Sequence, residues 1–475
     1  MDLRTLDKDL SRLGHQETAG LHNSQNLLRL GLVVLFIALS GILGTWLIGA
    51  GPETATVAAG LALAAYFAVA IGANDVANSL APAVGAGAIS VGVGLVVVGA
   101  AEIAGALLLS HRVSVTLGEG ILGTASQLEH GIVLSRVMVA ALISAACWVN
   151  LATWAGAPVS TTHAIVGGIA GAGIAAFGWS SLNWGLLGLI AVGWMVAPIM
   201  AALIAGGLLG LLSAQINGAT DRLGAARRWL GAMMAATAGA MTLYLAFSLS
   251  WGQSLFLTIA AAIAITGLAW VAARMIFDRA TRTEDTEAAV FRRLFGPMLI
   301  LVAALMGFAH GANDASNVTA PLTVILHLAL TNQGAWYEIS NAPDAAILIA
   351  GCGIAVGAVL FGRRLVVMVG GRITRLNPVR AVCVALATVT TVLAATAMAL
   401  PVSTTHIAVG GVFGVGFYRE WEDRRRARKR KALPVEERRR RELVRRIHLR
   451  RILIAWVITV PVSAFTAGLV MMVLG

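Results

Sequence analysis

The sequence predicts an all-α polytopic membrane protein: two inverted repeats with broken helices and re-entrant hairpins, in about 10–12 membrane segments. Three observations carry this reading. Apolar runs recur along almost the whole chain. Two short polar motifs each occur twice, in the same order. Both kinds of motif lie where an apolar helix would otherwise continue.

The apolar runs come first. The chain has 475 residues, of which 58% are hydrophobic and 12% charged. Soluble domains carry about 25% charged residues, and a bilayer-crossing helix needs about 20 mostly apolar ones. Apolar runs occupy residues 30–50, 90–110, 131–154, 182–212, 230–251, 255–275, 294–309, 345–361, 379–400 and 452–474, with a shorter one at 54–71. The first 29 residues are polar and no cleavage site follows, so the first run reads as a retained helix rather than a secretory signal. Cys147, Cys352 and Cys383 fall in apolar segments and offer neither a disulfide framework nor zinc spacing.

The charge is concentrated. Of the net +12, residues 419–451 supply +10, with 16 Lys/Arg against 6 Asp/Glu. This segment lies between two apolar runs, so the positive-inside rule places it in the cytoplasm, against anionic membrane lipid. It has neither aromatic interleaving nor a nucleic-acid-binding signature, so no nucleic-acid partner is expected.

The repeats come next. Gly72-Ala73-Asn74-Asp75-Val76-Ala77-Asn78 returns as Gly311-Ala312-Asn313-Asp314-Ala315-Ser316-Asn317, an offset of 311 − 72 = 239. Pro82 and Pro321 each follow the aspartate by seven positions. Pro158-Val159-Ser160-Thr161-Thr162-His163 returns unchanged from Pro401 to His406, an offset of 401 − 158 = 243. Gly105-Ala106 matches Gly357-Ala358 at 357 − 105 = 252. Duplicated motifs in conserved order mark an internal repeat, and internal repeats in a membrane protein mark a secondary transporter. The expected organisation is a polar segment (1–29), an additional helix (30–53), transport repeat 1 (54–211), a linker with membrane helices (212–293) and transport repeat 2 (294–475), which contains the basic loop 419–451.

The motifs explain the expected breaks. Glycine loosens a helix, Asn and Asp compete for its backbone bonds, and proline prevents regular continuation. Freed carbonyls, with an Asp carboxylate and Asn amide oxygens, suit Na⁺; the Asp could instead carry H⁺. Candidate cation ligands are therefore Asn74, Asp75, Asn313 and Asp314. Pro-x-Ser-Thr-Thr before a Gly-rich run reads as a helix start, whose free N–H groups and hydroxyls suit an anion. The Gly-rich segments at 164–178 and 407–417 are short, which favours re-entrant hairpins. Glu102 is a lone intramembrane carboxylate and a candidate coupling residue. His163 and His406 are candidate proton relays. His310 has Ile71 at its matching position and reads as structural or modulatory.

These motifs resemble those of the inorganic phosphate transporter (PiT) family, which includes sodium–phosphate symporters, over the chain from about residue 54 to its end. The resemblance implies a dimer with a central site built from both inverted repeats, no cofactor, and inorganic phosphate as substrate. It implies that Asn74, Asp75, Asn313 and Asp314 bind cation and phosphate. Asn78 and Asn317, with Ser160, Thr161, Thr162, Ser403, Thr404 and Thr405, line the same site. Glu102, in Glu-x-x-Gly, resembles a functional glutamate of the family. The chain departs from the pattern at Ser79-Leu80-Ala81-Pro82, where family members carry a Phe-Gly-Thr type sequence, in its extra first helix and in its long basic loop. The function expected is phosphate symport with Na⁺ or H⁺ in a bacterial inner membrane. A sulfate permease is the nearest alternative; an anion channel or a phosphate-handling membrane enzyme stands further off.

Overall fold

A computed structural model of the chain describes residues 26–43, 45–46, 54–123, 131–154, 159–249, 254–280, 287–331, 344–370, 377–427 and 446–475. Among them there is no β-strand, and eleven helices are long and apolar enough to cross a membrane. The all-α polytopic class follows directly.

In chain order the helices are α1 (Asn26–Leu43), α2 (Thr54–Gly85), α3 (Val91–Val115), α4 (Gly131–Trp154), α5 (Thr161–Phe177), α6 (Trp184–Asn217), α7 (Arg222–Ser248), α8 (Leu255–Ala280), α9 (Glu287–Leu294), α10 (Gly296–Asp314), α11 (Ser316–Thr331), α12 (Asp344–Met368), α13 (Pro378–Ala397), α14 (Thr404–Ala427) and α15 (Arg446–Leu474). The polar N-terminal segment up to residue 25 and the basic residues 428–445 lie outside the described residues.

Two expectations about local geometry change. The second Asn-Asp motif does interrupt its helix: α10 ends at Asp314 and α11 begins at Ser316. The Ser316 hydroxyl donates to the carbonyl of Asn313, and the N–H groups of Val318 and Thr319 restart the ladder on the carbonyl of Ala315. The first motif does not interrupt its helix, for α2 runs 32 residues through it with Pro82 inside. Its asparagine amides bond to other side chains, Asn74 to Asp75 and Asn78 to Thr405, and so do not compete for the helix backbone. The segment after the second Ser-Thr-Thr-His is also not short. Helix α14 continues 24 residues into the basic stretch, whereas α5 spans only 17.

Helix pairing is reciprocal between the halves. Helix α2 packs on α12 as α10 packs on α3, and α5 packs on α15 as α14 packs on α6. Glycines make these approaches. A Cβ at Gly72 would overlap the carbonyl oxygen of Ile354, and one at Gly311 that of Glu102. Small residues four apart allow such backbone contact in membranes. Helices α1 and α8 lie outside this core and present apolar side chains such as Leu39, Phe256, Ile263 and Leu268 outward.

Candidate functional site

Four starting points, one from each motif copy, converge at the centre. In the first half, α2 carries Asp75 buried on its inner face. At the start of α5, the Thr161 hydroxyl donates to Asp75 Oδ2 at 3.4 Å. In the second half, the Thr404 hydroxyl at the start of α14 donates to Asp314 Oδ2 at 3.2 Å. Each half thus repeats one threonine–aspartate bond.

Bonds between the halves are reciprocal too. Asn78 Nδ2 donates to Thr405 Oγ1 at 2.8 Å, and Asn317 Nδ2 donates to Thr162 Oγ1 at 3.2 Å. Thr405 also donates to Asp75 Oδ1 at 3.1 Å, and Thr162 donates to the carbonyl of Val402 at 3.1 Å. The helix starts are capped alike. Ser160 Oγ accepts from the N–H of His163 at 3.1 Å, and Ser403 Oγ from that of His406 at 3.3 Å. Both serines therefore face their own helix ends, as good N-caps do.

The asparagines next to the aspartates differ. Asn313 is buried and pins the chain ahead of α14: its amide donates to Thr396 Oγ1 and the Leu400 carbonyl, and its Oδ1 accepts from the N–H of Val402. Asn74 is only partly buried; it donates to Asp75 Oδ1 at 3.0 Å and accepts from Thr153 at 3.4 Å.

The two aspartates meet. Ligand atoms of Asp75, His310 and Asp314 lie within 4.8 Å of one another, all buried. Two carboxylates at that separation repel by about 3 kcal/mol at an effective dielectric of 20, so the pair calls for positive charge. Asp314 Oδ1 and Asn317 Oδ1 are buried and take no hydrogen bond from the described residues. Buried oxygens of this kind favour a cation or an added donor.

His310 is the residue that sequence reasoning undervalued. Its Nδ1 lies 2.9 Å from Glu102 Oε1 and its Nε2 lies 3.3 Å from Asp314 Oδ2, with all three side chains buried. Glu102 is thus joined through an imidazole to the paired aspartates. The repeat offsets put Ile71 opposite His310 and Ile354 opposite Glu102, since 310 − 71 = 239 and 354 − 102 = 252. The close approaches agree, because Gly311 meets the backbone of Glu102 as Gly72 meets that of Ile354. One position therefore holds a Glu–His pair where its counterpart holds two isoleucines. The signal was in the sequence: two lone buried ionisable groups, each without a counterpart, are best satisfied by each other.

His163 and His406 sit elsewhere. Their rings approach to 4.6 Å between centroids, with His163 against Trp194 at 3.8 Å and His406 stacked on Trp456 at 3.6 Å. This four-ring cluster packs α5, α6, α14 and α15 together beneath the serine-capped helix starts. Neither imidazole forms an ion pair with Asp75 or Asp314, whereas Asn74, Thr161, Thr404 and Thr405 bond to those aspartates and Glu102 reaches them through His310.

Comparison with known proteins places the chain in a family. Residues 71–467 match the phosphate transporter family. A putative phosphate permease of Helicobacter pylori is 33% identical over 97% of each chain. The chloroplastic inorganic phosphate transporter 2-1 of Arabidopsis thaliana is 28% identical, over 85% of this chain and 69% of its own. A solved structure described as a sodium-dependent phosphate transporter superposes with a TM-score of 0.79 at 30% identity, covering 88% of this chain and 98% of that one.

Proposed function

We propose that this chain, which belongs to the phosphate transporter family, carries inorganic phosphate by cation symport through one site shared between two inverted repeats. Family and solved relative are transporters rather than enzymes, and the eleven apolar helices make the chain an integral membrane protein. The observation that carries the finer reading is the meeting of Asp75 and Asp314 with threonine hydroxyls from both helix starts. The reciprocal bonds Asn78–Thr405 and Asn317–Thr162 support the inverted-repeat reading.

The mechanism follows from charge. A phosphate anion near two buried carboxylates is repelled until cations enter with it. Oxygens of Asp75, Asp314 and Asn74 supply hard ligands for Na⁺, with Asn317 Oδ1 in place of the expected Asn313, whose Oδ1 accepts from the Val402 N–H. The chain Glu102–His310–Asp314 supplies a route for H⁺. Hydroxyls of Thr161, Thr162, Thr404 and Thr405, with the N-termini of α5 and α14, supply donors for phosphate oxygens. Coupling follows because neither partner binds well alone. Ser160 and Ser403 hold those helix ends in shape. A bacterial inner membrane and a homodimer complete the proposal.

Labelled phosphate uptake into proteoliposomes, with excess sulfate or unlabelled phosphate outside, tests the substrate. Unlabelled phosphate should suppress uptake and sulfate should not. Absence of labelled phosphate uptake where labelled sulfate is taken up would move the assignment to a sulfate permease.

A further inference from the structure

Outside the transport site, the linker hairpin contains a cavity of about 380 Å³ between α7 and α8, lined by Arg227, Arg228, Trp270, Arg274, Phe277 and Asp278, with Asp221, Gly224 and Gly231. At Gly224 the space a Cβ would take is filled by the Asp221 carboxylate, whereas at Gly231 a Cβ would only touch the Trp270 ring.

The charges within it are unevenly satisfied. Arg227 is paired with Asp278. Asp221 caps α7 by accepting from the N–H of Gly224 at 2.8 Å. Arg228 makes no ion pair among the described residues, and Arg274 lies over the Trp270 ring at 5.2 Å without a carboxylate. Two exposed guanidinium groups thus border the cavity, while Phe277 is buried and forms an apolar floor.

The position of this cavity in the fold identifies the ligand class. Helices α6 and α14 run side by side in the same direction, Gly410 meeting Pro198 and Gly414 meeting Ala202. The end of α6 therefore lies at the same end of the molecule as the basic extension of α14. Helix α7 starts there, and α8 returns there with Arg274 and Arg279. The positive-inside rule makes this the cytoplasmic leaflet. Beside the lining residues Arg274 and Asp278, α8 carries Met275, Val271 and Leu268, all exposed and apolar. A charged pocket beside an exposed apolar helix face fits an amphiphile better than a free ion.

We propose that this cavity seats the phosphate headgroup of an anionic phospholipid, with Arg228 and Arg274 on the phosphate oxygens, Trp270 against the glycerol region and the acyl chains along α8. Arginine suits phosphate by geometry as well as charge.

Native mass spectrometry of the detergent-purified full chain tests this. Phosphatidylglycerol, phosphatidylcholine and inorganic phosphate serve as separate probes. The chain should retain one phosphatidylglycerol in preference to phosphatidylcholine, and inorganic phosphate at millimolar concentration should not displace it. Arg228→Gln with Arg274→Gln should lower that occupancy by about fivefold for each arginine removed. Arg424→Gln with Arg425→Gln, exposed arginines outside the cavity, should leave it unchanged, and circular dichroism checks that both variants fold. Equal retention of phosphatidylcholine, equal loss in both double variants, or displacement by inorganic phosphate would each overturn the proposal.

Discussion

Asp314→Asn removes one charge from the centre of the site and little else. The side chain keeps its size, and Thr404 still has an oxygen to donate to. A monovalent cation about 4 Å from a carboxylate is stabilised by about 4 kcal/mol at an effective dielectric of 20. The amide oxygen dipole restores part of that, leaving a loss of about 2–3 kcal/mol. At 1.4 kcal/mol per tenfold, the cation concentration for half-maximal phosphate uptake should rise by roughly 30- to 150-fold. Asp75→Asn should act alike, because the two carboxylates share one cluster within 4.8 Å. The double substitution should cost less than the sum of the two, as groups acting on one ion do. The assay is uptake into proteoliposomes over a range of outside cation concentrations, normalised to reconstituted protein. Asp344→Asn, at an exposed carboxylate starting α12, is the control and should change nothing. Near-normal half-saturation in both Asp75→Asn and Asp314→Asn would refute the shared site.

Three further outcomes are expected. Glu102→Gln keeps the shape beside His310 but removes its charge, so the pH dependence of uptake should flatten while phosphate affinity at saturating Na⁺ changes little; an unaltered pH profile would remove Glu102 from the proton route. Gly311→Ala would place a methyl group against the backbone of Glu102, a clash of the kind that costs about 1–3 kcal/mol; melting temperature and uptake should fall together, whereas Gly188→Ala, where a Cβ meets open space, should be neutral in both. Ser160→Ala and Ser403→Ala each remove a helix cap worth about 1 kcal/mol; apparent phosphate affinity should weaken, and unchanged affinity in both would confine the caps to packing.

Much of this architecture was readable before any coordinates, for physical reasons. Apolar runs announce spans because lipid tolerates no unsatisfied backbone. Asp75 and Asp314 announced themselves as charges in apolar surroundings, each twice supported by the repeat. What could not be read depends on partners distant in the chain. The helix at Asn74–Asn78 stays intact because its amides bond to Asp75 and Thr405, and Thr405 lies 327 positions from Asn78. The same motif breaks at Ala315 because the Ser316 hydroxyl bonds to the carbonyl of Asn313, and the first copy has Ala77 at that position. His310 looked solitary because its carboxylate partner Glu102 is 208 positions away. The histidines of the second motif pack against Trp194 and Trp456, which no motif contains, so this ring cluster could not be read from the motifs.

In the proposed symport, phosphate crosses with a cation bound at the meeting of the two halves. Labelled phosphate uptake into proteoliposomes, with inward Na⁺ and inward H⁺ gradients imposed separately, tests it most directly. Accumulation above equilibrium is expected with at least one of these gradients, and should be abolished in the Asp75→Asn and Asp314→Asn variants. Accumulation that is equal with and without either gradient, or that survives both substitutions, would contradict it.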